Sequence, residues 1–182
     1  MLIQTTQSKK VYNKLMTNGI HYVNSKKYIE HESYLSDYQF IIDEMNKRKI
    51  ENPYNAELPI WAYTKNHYDI EEDNNEVTIV LEVPNEIILE SNHTYYENYV
   101  LCSVPLLKNE KEEEKYKEFI DDYGCYKFNN SFLETWMNIF KKDNFGPEWD
   151  FSFIKHPDIC TWQGTLWYIK KEWIVRFTEK GE

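Results

Sequence analysis

Two groups of side chains stand where their chemistry asks for an explanation. The first is a single amide, Gln163, set inside the apolar and aromatic run Thr161 to Phe177, TWQGTLWYIKKEWIVRF. An amide buried in such a run finds hydrogen-bond partners or costs about 1–3 kcal/mol. Gln163 therefore either binds backbone at a sheet edge or lines a pocket. The second is a dense carboxylate run, Lys108 to Lys117 (KNEKEEEKYK), which continues to Asp121-Asp122. Glu/Lys runs of this kind form solvated helices with i,i+4 pairs, or exposed loops. The alternative is a docking patch carried by Glu112, Glu113, Glu114, Asp121 and Asp122, suited to a basic protein surface such as the nucleic-acid channel of another protein.

Other chemistry fails on residue type or spacing. There is no Gly-x-Ser-x-Gly elbow, no His-Glu-x-x-His, no P-loop and no EF-hand loop. With 31 acidic residues, neighbouring carboxylates are inevitable and carry no signal for acid–base catalysis. Cys102, Cys125 and Cys160 are odd in number and widely spaced, with no paired Cys/His spacing. That argues against a structural zinc and against a disulfide framework, and for a reducing compartment. His21 and His31 fall in a polar, irregular stretch and receive no role. No catalytic residue, metal ligand or cofactor is assigned.

The charge balance, 31 acidic against 21 basic residues, leaves a formal net charge of −10. Nucleic-acid phosphates and anionic lipid repel such a chain, so direct nucleic-acid binding is not expected. The opening MLIQTTQSKK lacks a charged segment followed by an apolar core, and no window approaches the ~20 apolar residues of a membrane span. The expectation is a cytoplasmic protein that does not engage a membrane.

The elements that position these residues follow from the apolar pattern. A hydrophobic content of 41% with 16% aromatics excludes wholesale disorder, and 182 residues suffice for one well-buried core. Leu2 to Thr6 reads as a strand, Ser8 as the N-cap of a helix with Val11, Leu15 and Met16 inward, and Gly19 as its stop. Tyr34, Tyr38, Ile41, Ile42 and Met45 share one face of a helix over residues 33–49. Pro59–Thr64 and Glu76–Val83 read as two strands that pair with each other. Further helices are expected over Thr94–Cys102 and after the capping box Ser131-x-x-Glu134, the latter with Phe132, Trp136, Ile139 and Phe140 inward. The run from Thr161 reads as a strand, a polar turn or short helical turn at Lys170-Lys171-Glu172, and a final strand or extended tail. The fold class is α+β, a single domain over residues 1–182 with an antiparallel or mixed sheet and inserted helices.

The segments LIQTTQSKKVYNKLMTNGI, PIWAYTK, EVTIVLEVP and WQGTLWYIKKEWIV resemble an uncharacterised family of small bacterial and phage proteins, common in Firmicutes, known as a domain of unknown function. The layout is also similar to that of the ADP-ribosyltransferases, in which a late strand places a glutamate. That likeness implies an NAD pocket formed by Thr5 or Thr6, Tyr63 and Gln163. Gln163 stands at the glutamate's position, where an amide binds a ribose hydroxyl but does not ionise, so it is no general base. In overall character, small, acidic and tyrosine-rich, the chain is similar to anti-CRISPR proteins that bind the Cas9 nuclease. This second likeness implies a basic partner, Cas9 with its guide RNA. The functional expectation is a non-enzymatic inhibitor from a phage or mobile element that blocks DNA targeting through an acidic surface. The alternative is an ADP-ribosyltransferase-like or NAD-binding protein with a degenerate catalytic site.

Overall fold

A computed structural model of the chain describes residues 1–24, 33–64, 75–96, 100, 107, 109–123, 137–140 and 162–179. The chain divides into two compact units, Met1–Glu90 with Trp162–Glu182, and Ser91–Thr161. The described elements make an α+β fold, as the apolar pattern predicts.

In the first unit the opening strand β1 (Leu2–Ser8) alternates buried Ile3 and Thr5 with half-buried Gln4 and Thr6. Its successor α1 (Lys9–Asn18) starts at Ser8, whose Oγ accepts from the Val11 N–H at 3.3 Å. It stops at Gly19, where φ is +77° and the N–H donates to the Leu15 carbonyl at 2.9 Å, the left-handed conformation that glycine adopts without a Cβ penalty. The buried face of α1 is Tyr12 and Leu15. Val11 and Met16, expected inward, are only half-buried, because around the helix they flank the face centred on Tyr12 and Leu15.

Two short strands of the second sheet follow different rules. β2 (Ile20–Tyr22) pairs with β7 (Tyr168–Lys170), His21 opposite Ile169. Three residues with a histidine in the middle carry too little alternation to read as a strand, so the stretch expected to be irregular is instead paired.

α2 (Ser33–Lys47) buries Ile41, Ile42 and Met45 of the expected stripe, with Tyr38 half-buried and the Tyr34 side chain outside the described residues. Glu44 is buried beside them because Arg48 Nε donates to its Oε1 at 2.7 Å and Lys47 Nζ lies 3.4 Å from its Oε2. The helix ends on Lys49 at φ +57°, with the Ile50 N–H donating to the Met45 carbonyl at 3.0 Å.

The large sheet adds β3 (Ile60–Tyr63), β4 (Glu76–Glu82), β5 (Leu89–Asn92), β6 (Trp162–Leu166) and β8 (Ile174–Glu179), in the order β5-β6-β3-β1-β4-β8. The expected β3–β4 pair does not form. β1 lies between them and is antiparallel to both, so β3 and β4 run parallel on its two sides. Each thereby gains β1 as a partner, which buries Val77, Ile79 and Leu81 against Ile3 and Thr5.

The apolar run from Trp162 is not one strand. It breaks at Trp167, sending β6 into the large sheet and β7 into the small one. A 3-10 turn at Lys171–Trp173 then returns the chain as β8 along β4. Leu166 and Ile169 are fully buried on either side of the break.

In the second unit the described elements are α3 (His93–Tyr95), α4 (Glu110–Tyr123) and a 3-10 turn at Met137–Phe140. Asn92 caps α3 by accepting from the Tyr95 N–H at 3.0 Å, and Asn109 caps α4 by accepting from the Glu112 N–H at 3.1 Å. The helix expected from Ser131 is described only as that 3-10 turn, with Ile139 buried. Cys102, Cys125, Cys160 and His31 lie outside the described residues.

Candidate functional site

The acidic run folds as α4, and its sequence carries seven carboxylates and three lysines. Glu110, Glu114 and Glu118 fall at i, i+4 and i+8 and are exposed, forming an outward stripe. Of the predicted docking residues, Glu114 lies on that stripe, whereas Glu112 and Glu113 are half-buried. Lys117 donates to Glu113 at 2.8 Å, and this hydrogen bond, followed by the carboxylate's charge, holds the Lys117 ammonium above its ordinary pKa. Asp121 and Asp122 lie in the last turns of α4, and their carboxylates lie outside the described residues.

Of the predicted nucleotide residues, Thr6, Tyr63 and Gln163 sit on one face of the large sheet. Tyr63 is the direct partner of Gln163 on β6 and of Gln4 on β1, so these three share a row, and Thr6 is two residues along β1 on the same face. Gln163 is 3% exposed and β6 is an inner strand, so the sheet-edge expectation is corrected. The Thr6 and Thr78 hydroxyls lie 3.2 Å apart across the β1–β4 pair. Thr5 points to the opposite face, where its hydroxyl donates to the Trp61 carbonyl at 2.7 Å and accepts from Gln7 Nε2 at 2.8 Å. The register brings Tyr63 and Gln163 together, keeps Thr6 on their face and excludes Thr5.

An opening lies elsewhere in the first unit. A cleft of about 800 Å³ is walled by the end of β1, one face of α1, β2 and the segment at Leu58-Pro59, with Tyr38 of α2. None of Thr6, Tyr63 and Gln163 lines it. Lys10 and Lys14 contribute from successive turns of α1, and His21 and Tyr22 from β2. Burial, and then the neighbouring Lys14 charge, hold His21 below the usual histidine pKa, so its imidazole is neutral near pH 7.

The walls are fixed from behind. Tyr22 stacks on Tyr54 with ring centroids 5.3 Å apart and planes at 15°, and Tyr54 meets Tyr168 edge-on at 5.1 Å. Tyr54 is presented by a loop that Asn52 closes through two hydrogen bonds to Ala56, one to its carbonyl at 2.9 Å and one from its N–H at 2.7 Å. The Glu57 N–H then donates to the Val23 carbonyl at 2.7 Å, tying the loop to the end of β2. Tyr38 rests edge-on against Trp61 at 5.7 Å.

The sequence reading passed over this cleft, although one signal was present. The helix α1 carries Lys9, Lys10 and Lys14 and no acidic residue, in a chain with 31 acidic residues.

Among the described residues no group of three His, Cys, Asp or Glu side chains is placed to hold a metal ion, and no helix is long and apolar enough to cross a membrane. These features define an α+β protein with a mostly antiparallel six-stranded sheet, a glycine-stopped first helix and an open cleft beside it. A family model described as Domain of unknown function (DUF3841) matches residues 2–175, and the chain belongs to that family. Neither the curated proteins nor the solved structures include a match to it.

Proposed function

We propose that the protein acts by binding a basic protein partner, and that this partner is a Cas9-type nuclease with its guide RNA, whose DNA targeting is blocked without catalysis. The observation that carries the reading is α4: three exposed glutamates in line over three turns, on a helix with four more carboxylates than lysines. Opposite charge of this kind steers association and competes with phosphate for a basic channel. A phage or mobile-element source belongs to the same proposal. The test is a Cas9 DNA-cleavage assay titrated with the purified protein. Stoichiometric inhibition is expected, and it should weaken and lose salt sensitivity when Glu110, Glu114 and Glu118 are changed together to Gln. No inhibition at any ratio dismisses the partner; unchanged inhibition by the triple variant dismisses the stripe.

The transferase-like reading is favoured by one observation, the Tyr63–Gln163 pairing with Thr6 on the same face. It places NAD on that face, with Gln163 as a hydroxyl ligand. Calorimetry with NAD tests it: binding by the wild type and loss in Gln163→Ala with an unchanged melting point support it, and no heat with the wild type removes it.

A further inference from the structure

We propose that the cleft beside α1 binds an organic phosphomonoester carrying a flat ring, a nucleoside monophosphate being the simplest member, with its phosphate between Lys10 and Lys14. None of the described lining residues belongs to α4, and none is Thr6, Tyr63 or Gln163.

Charge is the first support. Acidic residues are 31 of the 182 in the chain, yet among the described residues none of the fourteen that line the cleft is acidic, while two are lysines. This described lining is locally positive on a chain of net charge −10, and an anion gains from focusing between low-dielectric walls. Among the described residues neither Lys10 nor Lys14 has a carboxylate partner.

Spacing is the second. At i and i+4 the two side chains rise from the same helix face roughly 5–6 Å apart at Cβ, close enough for two ammoniums to meet the oxygens of one group. A phosphomonoester near pH 7 carries close to two negative charges, which match two lysines; a carboxylate carries one.

Size and surface supply the rest. About 800 Å³ lies within the roughly 300–1,000 Å³ of small-molecule sites and far exceeds the needs of an inorganic anion. Tyr22 and Tyr38 line the cleft with their rings held by Tyr54 and Trp61, so ring surface is presented at low entropic cost. Neutral His21 adds one donor and one acceptor for the polar edge of a ring or a sugar.

Calorimetric titration of the full chain with AMP, adenosine and inorganic phosphate tests the inference, with the double variant Lys10→Gln, Lys14→Gln in parallel. AMP is expected to bind and adenosine to bind at least about tenfold more weakly, ~1.4 kcal/mol. The double variant should lose at least about tenfold in AMP affinity at an unchanged melting point, because both lysines are exposed and support no packing. Lys111→Gln on α4 should bind AMP like the wild type. The inference is overturned by absence of AMP binding, by equal affinity for AMP and adenosine, or by full AMP affinity in the double variant. Phosphate that binds as tightly as AMP would also overturn it, since the ring would then contribute nothing.

Discussion

The ammonium of Lys171 donates to the carbonyl oxygen of Met16 at 3.1 Å, joining residues 155 positions apart. Met16 lies in the last turn of α1, where carbonyls lack intrahelical partners and the helix dipole is negative. The Lys171 N–H also donates to the Gly19 carbonyl at 2.9 Å, so one residue closes the helix end with both its side chain and its backbone. Lys171→Ala is expected to lower stability by about 0.3–1 kcal/mol, read from the midpoint of urea unfolding, and Lys171→Arg to retain most of it. An unaltered midpoint in the alanine variant would show that the contact contributes nothing.

His21 makes stability depend on pH. Its folded pKa lies below the ordinary 6.5, through burial and then the Lys14 charge, so the unfolded chain takes up the proton first as pH falls. The stability from neutral His21 is fully present above the unfolded value and is lost as pH falls through the depressed folded value, below which the loss levels off. Melting points of wild type and His21→Asn, measured from about pH 7.5 to 5 around the histidine range, should diverge above and converge toward the acid end. Parallel curves would refute the assignment.

Gly164 is fitted against its neighbours. A Cβ built there meets the Ile88 side chain, with Cγ1 at 2.8 Å, and Thr64 Cγ2 at 3.1 Å. Gly164→Ala should cost about 1–3 kcal/mol by overpacking. In a double-mutant cycle with Ile88→Ala the two changes should cost less together than their sum; strict additivity would place the strain elsewhere.

Lys49 occupies the left-handed position that ends α2, at φ +57°. Glycine adopts that conformation without a Cβ clash, so Lys49→Gly is expected to raise stability by up to about 1 kcal/mol despite its more flexible unfolded chain. A lower melting point would mean that the lysine side chain contributes more than its backbone costs.

Local features were legible in the sequence. Ser8 and Gly19 bound α1 by hydrogen bonds within four residues, and Ile41, Ile42 and Met45 lie on one helical face whatever they pack against. Non-local pairings were not. The insertion of β1 between β3 and β4 and the change of sheet at Trp167 depend on pairings such as Gln4 with Tyr63, Leu2 with Glu82 and Ile20 with Lys170, far apart in the chain, and periodicity is silent about them. Gln163 shows the division: its burial was readable from its neighbours, but its partner Tyr63 came only from the register. The cleft escaped because its walls are drawn from Gln7–Asn24, Tyr38 and Leu58-Pro59, and no single stretch displays it.

The pairing of β3 with β6 also sets a clock on biosynthesis. The 69 residues His93–Thr161 separate the first five strands from β6, β7 and β8. At about 5–20 residues per second, the ribosome takes roughly 3–14 s to traverse them. Throughout that interval the backbone of Ile60–Tyr63 that β6 will occupy, and the flank of β4 that β8 will cover, have no native partner. Unpaired strand edges of this kind recruit other chains, so the nascent protein passes through its most aggregation-prone state just before the last strands emerge.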